Sequence, residues 1–257
     1  MSALLEKVRQ INQLVQKSAE IMADYSPMAE TVSTLTASNV YLVGPDGVVR
    51  GYYITEEPDC ERTALDEETK LSSGFQQKLA FLFQPATNIP IEGCFFHEVD
   101  CKCTARVMIV IPIHSGGERL GNLLLTRRKG DFSDDDMVLA EVGATITGMA
   151  ILRHRVERSE ADARQKASVQ VALDSLSFSE MEAITNVFEE LGGMEGFLVA
   201  SKVADRIGIT RSVIVNAMRK LESAGVVESR SLGMKGTYIR VQNRFFLDEL
   251  AKRSRAR

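Results

Sequence analysis

The chain has 257 residues, of which 44% are hydrophobic, enough material for two hydrophobic cores. It contains no run of eighteen apolar residues, and Glu6, Lys7 and Arg9 stand where a signal peptide would need its apolar core, so a soluble, cytoplasmic protein is expected. A net charge of -4 excludes a uniformly basic nucleic-acid coat, and four cysteines confined to positions 60 to 103 exclude a secreted disulfide scaffold.

In chain order, Leu4, Leu5, Val8, Ile11, Leu14 and Val15 recur at helical spacing and predict an amphipathic helix, followed by a short helix from Pro27 to Thr36. Asn39 to Val43 and Val48 to Ile54 read as strands around the turn Gly44-Pro45-Asp46-Gly47. Ser73 to Phe83 reads as helix, and Cys94 to Lys102 as irregular. A second hairpin is predicted from Ala105 to His114 and Leu120 to Arg127, around Ser115 to Arg119. Together these make an antiparallel sheet with helices packed against it.

Ser133 and Asp136 have capping-box spacing and open a long helix through Val138, Leu139, Val142, Ile146, Met149 and Leu152. That helix turns strongly charged from Arg153 to Lys166. Its apolar half belongs to the first domain and is also the candidate subunit-pairing surface, while its charged half reads as a connector.

Between Ala200 and Val241 the pattern is that of a helix-turn-helix followed by a wing. Ala204 is the small residue where two helices touch, Gly208 permits a left-handed turn, and Ile214 anchors the second helix. Thr210 is the expected cap of that helix. Helical spacing puts Ile214, Ala217, Met218 and Leu221 on one side and Ser212, Asn216 and Arg219 on the other. Asn pairs with adenine and Arg with guanine in a major groove, while Thr210, Arg211 and Ser212 stand where phosphate contacts are favoured. Lys202 and Lys220 are counted with them.

The wing reads as Val226 to Arg230 and Thr237 to Val241, with Lys235 at its tip, Ile239 and Val241 inward, and Tyr238 and Arg240 outward beside Arg230. The charge agrees with this placement. Residues 1 to 176 carry a net of -7, residues 177 to 257 a net of +3, and residues 198 to 244 hold nine basic side chains against three acidic ones. A basic reader on an acidic body fits a regulator that meets phosphates at one end. A winged helix used for protein contacts is the rival, and the basic count disfavours it.

The carboxy-terminal stretch from Ser175 to Val241 closely resembles the CodY family of nutrient-responsive transcription regulators of low-GC Gram-positive bacteria. Gly117-Glu118-Arg119-Leu120-Gly121, Phe132-Ser133-Asp134-Asp135-Asp136, Leu139-Ala140-Glu141 and Gly143-Ala144-Thr145 extend the resemblance through the linker. Residues 1 to 130 match more loosely.

The resemblance implies an α+β chain: a GAF ligand-sensing domain over 1–155, a long linker helix over 133–174, and a winged helix-turn-helix domain over 175–257. Within the last, the helix-turn-helix covers 200–219 and the wing 226–241. It implies a homodimer or higher homo-oligomer, mainly a repressor, on AT-rich palindromic double-stranded DNA operators. The effector implied is a branched-chain amino acid, isoleucine, leucine or valine.

In the sensor the resemblance assigns Arg62 to the effector's carboxylate, a task suited to a guanidinium. Leu71 and Phe75 become apolar lining, completed by Phe95 or Phe96, and Ser72 stands where the family has proline. Many members also respond to GTP through cations in the turn that is Gly44-Pro45-Asp46-Gly47-Val48 here. An aspartate beside a triphosphate is adverse, with Arg50 as the nearby compensation. No phosphate-cradling G-x-x-x-x-G-K-S/T loop is present.

An alternative effector is a metal or redox signal at Cys60, Cys94, His97, Cys101 and Cys103, although C-x2-H-x3-C-x-C is no standard zinc spacing. No enzyme is expected. His97, His114 and His154 lie far apart with no recognisable nucleophile beside them.

Overall fold

The structure, a computed structural model, describes residues 3–16, 25–55, 65–66, 68–96, 106–233 and 236–255, the side chains of 14–16 excepted. It divides into two compact units, Met1–Val156 and Glu157–Arg257.

The first unit is built on a five-stranded antiparallel sheet in the order β2-β1-β5-β4-β3. Its strands are β1 (Asn39–Val43), β2 (Val49–Tyr53), β3 (Ala86–Ile91), β4 (Arg106–Ser115) and β5 (Glu118–Arg127). Alternation along the strands fills both faces. Val40, Leu42, Ile109, Ile111, Leu123 and Leu125 point to one core, which holds Met28 and Val32 of α2 (Ser26–Thr36), Ile11 of α1 (Ala3–Gln16), and Leu139 and Ile146 of α4 (Asp134–Asp174). Tyr41, Val43, Met108, Val110 and Leu124 point to the other, where α3 (Ser73–Ala80) packs with Leu79. Burial on both sides explains why β4 and β5 read as continuous apolar runs.

Three local expectations change. The second hairpin turns on Gly116 and Gly117 alone, both at positive φ (61° and 82°), so its strands extend through Ser115 and from Glu118. Helix α3 stops at Ala80 rather than Phe83, because the Leu82 amide turns back to the Leu79 carbonyl ahead of Pro85. That leaves Phe81 and Phe83 exposed. Strand β3 was not expected, since Pro90 and a bulge between Ala86 and Ile89 break its period.

The second unit gathers around one core of Val169, Leu173, Ile184, Val187, Leu198, Ile214, Leu221, Ile239, Phe246 and their neighbours. Its elements are the last turns of α4, then α5 (Phe178–Leu191), β6 (Glu195–Leu198), α6 (Ala200–Ile207), α7 (Arg211–Ser223), β7 (Val227–Ser231), β8 (Thr237–Val241) and α8 (Phe246–Arg255). The wing is three-stranded, in the order β6-β8-β7. Helix α5 opens with a complete capping box: the Ser177 hydroxyl accepts from the Glu180 amide and the Glu180 carboxylate from the Ser177 amide. Ser133 and Asp136 make the same reciprocal pair at the start of α4.

Beyond its charged stretch, α4 buries Val169, Ala172 and Leu173 in this core. Arg253 reaches Asp174 at 2.6 Å, Arg244 pairs with Asp162, and the Asn243 amide donates to the Gln165 carbonyl at 2.9 Å.

Candidate functional site

The helix-turn-helix forms as its residues require. Gly208 ends α6 at φ 71°, and the Ile209 amide turns back onto the Ala204 carbonyl at 3.1 Å. Val203 and Ala204 are buried against Ile214, Ala217, Met218 and Leu221 of α7. Ser212, Asn216 and Arg219 stand exposed on the opposite side, with Lys202, Thr210 and Arg211 also exposed nearby.

Thr210 requires a correction. It occupies the cap position of α7, yet its hydroxyl meets the Ser212 hydroxyl at 2.8 Å and accepts nothing from the helix amides. The Val213 amide donates to the Thr210 carbonyl at 3.0 Å, but no side chain caps the first turn of α7, which leaves its exposed start accessible to a phosphate.

Two expected contacts are occupied within the fold. The Lys220 ammonium donates to the Glu180 carboxylate at 2.7 Å and the Ser175 carbonyl at 3.0 Å, joining α7 to the α5 cap. Burial raises the Glu180 carboxyl, but the bonds from Lys220 and Ser177 outweigh it and hold the group below its ordinary value. Arg240 faces Glu195 and Glu228 across both strand pairs, its Nε 3.5 Å from Glu195. Its charge is thus partly matched on the sheet. Arg230 is exposed on β7 opposite Tyr238, nearer the tip, and Lys235 lies outside the described residues.

Sequence reasoning missed β6 and with it Phe197, 65% exposed, whose ring lies 5.2 Å from that of Tyr238. The Tyr238 hydroxyl donates to Glu195 at 2.7 Å, which raises its pKa. The Ser177-x-x-Glu180 spacing was the available signal for α5.

In the first unit, Phe75, Phe95 and Phe96 come together with Tyr41. Ring centroids are 5.6 Å apart for Phe75 and Phe95, 4.4 Å for Phe95 and Phe96, and 5.3 Å for Tyr41 and Phe95. Leu71 is buried in the same core. Burial pushes the Tyr41 phenol up to about 12, so it stays neutral. Ser72 accepts from the Phe75 amide at 3.4 Å and donates its own amide to the Phe95 carbonyl at 2.9 Å. A proline at 72 has no N–H for the second bond, so this serine ties the Phe95 segment to α3. Arg62 lies outside the described residues.

Of the proposed metal or redox cluster, Cys94 is half-buried and its sulfur accepts from the Phe96 amide at 3.4 Å. Cys60, His97, Cys101 and Cys103 lie outside the described residues. The nucleotide turn borders a surface cavity of about 950 Å³ that also touches Tyr25, Arg50, His154 and Arg155. Arg50 is held by Asp46 at 2.6 Å and Arg155 by Glu118 at 3.2 Å. The compensation sought from Arg50 is consumed by the aspartate itself.

A sheet-based sensor unit and a winged helix-turn-helix on one chain define a DNA-binding regulator of transcription. Residues 3–175 match the family model described as the CodY GAF-like domain, and residues 194–253 the one described as the CodY helix-turn-helix domain. The chain belongs to the CodY family of global transcriptional regulators.

It is 49% identical over 253 residues to the global transcriptional regulator CodY of Geobacillus sp. (strain WCH70), spanning 97% of this chain and 98% of that one. To the CodY of Clostridium perfringens (strain SM101 / Type A) it is 47% identical over 258 residues, spanning 98% and 99%. It is also similar to the solved cofactor-binding GAF domain of the nutrient sensor CodY from Clostridium difficile, with a TM-score of 0.40 and 29% identity over 59% of this chain and 99% of that one. Nothing in these relationships supports the metal or redox alternative. Among the described residues no helix is long and apolar enough to cross a membrane.

Proposed function

We propose that the chain is a cytoplasmic, mainly repressing regulator that binds AT-rich palindromic operators as a homodimer, more tightly when isoleucine, leucine or valine is bound. The observation that carries this is the second helix of the helix-turn-helix. Ser212, Asn216 and Arg219 form its exposed face opposite a fully apolar one. Thr210, Arg211 and Lys202 would hold phosphates around it, with Arg230 and Lys235 on the wing. Lys220 and Arg240 would contribute least, since both have carboxylate partners.

Residues 1–155 would sense, 133–174 link and 175–257 read. Support for an apolar effector comes from the cluster of Leu71, Phe75, Phe95 and Phe96, with Arg62 for the carboxylate by family resemblance. A nucleotide is not proposed as effector, because Asp46 occupies the turn and takes up Arg50. Dimerisation is supported by an exposed stripe on α4: Val138, Met149, Leu152 and Val156 remain open to solvent, and with Val142 and Thr145 they alternate at spacings of four and three.

Two dimer-related reading helices would meet half-sites one helical turn apart. By linkage, an amino acid that favours the DNA-competent dimer must itself bind more tightly when operator is present. Titrating labelled operator with and without each amino acid tests this. Tighter binding with one of the three is expected; unchanged affinity with all of them removes the effector assignment and leaves DNA binding standing.

A further inference from the structure

A second cavity in the sensor unit, of about 250 Å³, lies between the β1–β2 turn, helix α3 and the start of β5. Val43, Leu71, Leu79 and Phe83 supply apolar walls, and Arg119 and Asn122 line it with polar groups. The Arg119 guanidinium donates to the Leu79 carbonyl at 2.8 Å, to the Ala80 carbonyl at 3.4 Å and to the Asn122 side-chain oxygen at 2.5 Å. Among the described residues it has no carboxylate partner, so a half-buried cation is balanced by dipoles alone. Burial lowers its pKa without discharging it.

Two further features point to a ligand. The Asn122 side-chain nitrogen makes no hydrogen bond among the described residues and sits beside the guanidinium, giving a second donor for one anion. Phe83 is 73% exposed at the cavity rim, an apolar ring whose hydration is relieved once an aliphatic chain covers it. No carboxylate lines the cavity, and the Gln76 amide nitrogen is already bonded to the Leu71 carbonyl at 2.6 Å. A ligand's ammonium group would find no counter-charge there.

We propose that this cavity binds a small aliphatic monocarboxylate, with its carboxylate on Arg119 and Asn122 and its chain against Val43, Leu71, Leu79 and Phe83. Arg119 Nη2 spends both its hydrogens on Leu79 and Asn122, so the carboxylate would take the remaining Nη1 hydrogen together with the Asn122 side-chain amide, and a cavity of this size suits a small ligand. Phe75, Phe95 and Phe96 do not line this cavity; Val43, Leu71 and Leu79 do, and they belong to the core that those rings pack in.

The test uses the full chain, calorimetric titration with 4-methylpentanoate, and its neutral amide as control. Saturable binding of the acid and none of the amide is expected. Asn122→Asp places a carboxylate beside Arg119 and supplies the missing counter-charge; it should weaken the acid at least tenfold while the melting temperature holds or rises. Arg119→Gln should weaken it similarly, and Arg62→Ala should leave it unchanged while removing response to branched-chain amino acids. Binding that survives Asn122→Asp, binding lost in Arg62→Ala, or no saturable binding to the unaltered chain overturns the assignment. The last three outcomes leave the operator titration untouched, so the two readings fail independently.

Discussion

The reader and the sensor place their chemistry in opposite parts of the fold. In the reader, Ser212, Asn216 and Arg219 stand on the outside of one helix, and their common face follows from helical spacing. In the sensor, Tyr41 comes from β1, Phe75 from α3, and Phe95 and Phe96 from the segment after β3, and they meet only because the sheet brings those segments together. A surface of local origin is readable one residue at a time, whereas a cavity is a property of non-local contacts. Substitutions should therefore separate the units, with effects on folding inside each core and effects on recognition at the exposed face.

The largest effects should come from the two cores. Phe246 is fully buried with its ring edge-on to Phe188 at 4.8 Å, and Phe246→Ala should cost the reader about 3–5 kcal/mol. A Cβ on Gly121 would lie 2.3 Å from the Val43 carbonyl oxygen, so Gly121→Ala must push β1 from β5 and should cost the sensor about 3 kcal/mol. Scanning calorimetry should resolve two transitions, each lowered by its own substitution. A single shared shift would show that the units unfold together and end the comparison.

Next come the face residues. Asn216→Ala and Arg219→Ala should each weaken operator binding by about 1–3 kcal/mol without altering the circular dichroism spectrum. Arg240→Ala, with Glu195 and Glu228 opposite, should change it only a few-fold. Equal losses at Arg219 and Arg240 would mean that the wing sheet reads the DNA as much as the helix does.

Smaller effects distinguish the two helix starts of the reader. Ser177→Ala removes a working cap and should cost about 1 kcal/mol, while Thr210→Ala removes none and should stay within about 0.5 kcal/mol by urea unfolding. The Glu180 carboxyl is held below its ordinary value in the folded state, so its contribution is complete at neutral pH. It should fade as pH falls through the ordinary value toward the folded one. In Glu180→Gln that part of the acid dependence should vanish, and an unchanged slope would sink the assignment.

Legibility varied with how local each signal was. The turn of the helix-turn-helix, the Ser133–Asp136 box and the strands of β4 and β5 were readable because a glycine, a three-residue spacing or an apolar run specifies them within one segment. Strand β3 and strand β6 were not, since each is short and earns its strand conformation from β4 or β8. Arg50 and Lys220 were visible as cations but not as partnered ones, because Asp46 and Glu180 meet them only through the folded backbone.

The sequence by itself determined the class of the protein: two cores, a basic helix-turn-helix near the end of an acidic chain, and the motifs that join it to its family. Tertiary structure alone decided which cations keep an unspent charge, that the last turns of α4 belong to the reader's core, and that Arg119 faces a cavity with no carboxylate to meet it. The reason is physical. Periodicity and turn chemistry act over a few residues, but the partner and the solvation of a side chain are set by segments far apart in sequence.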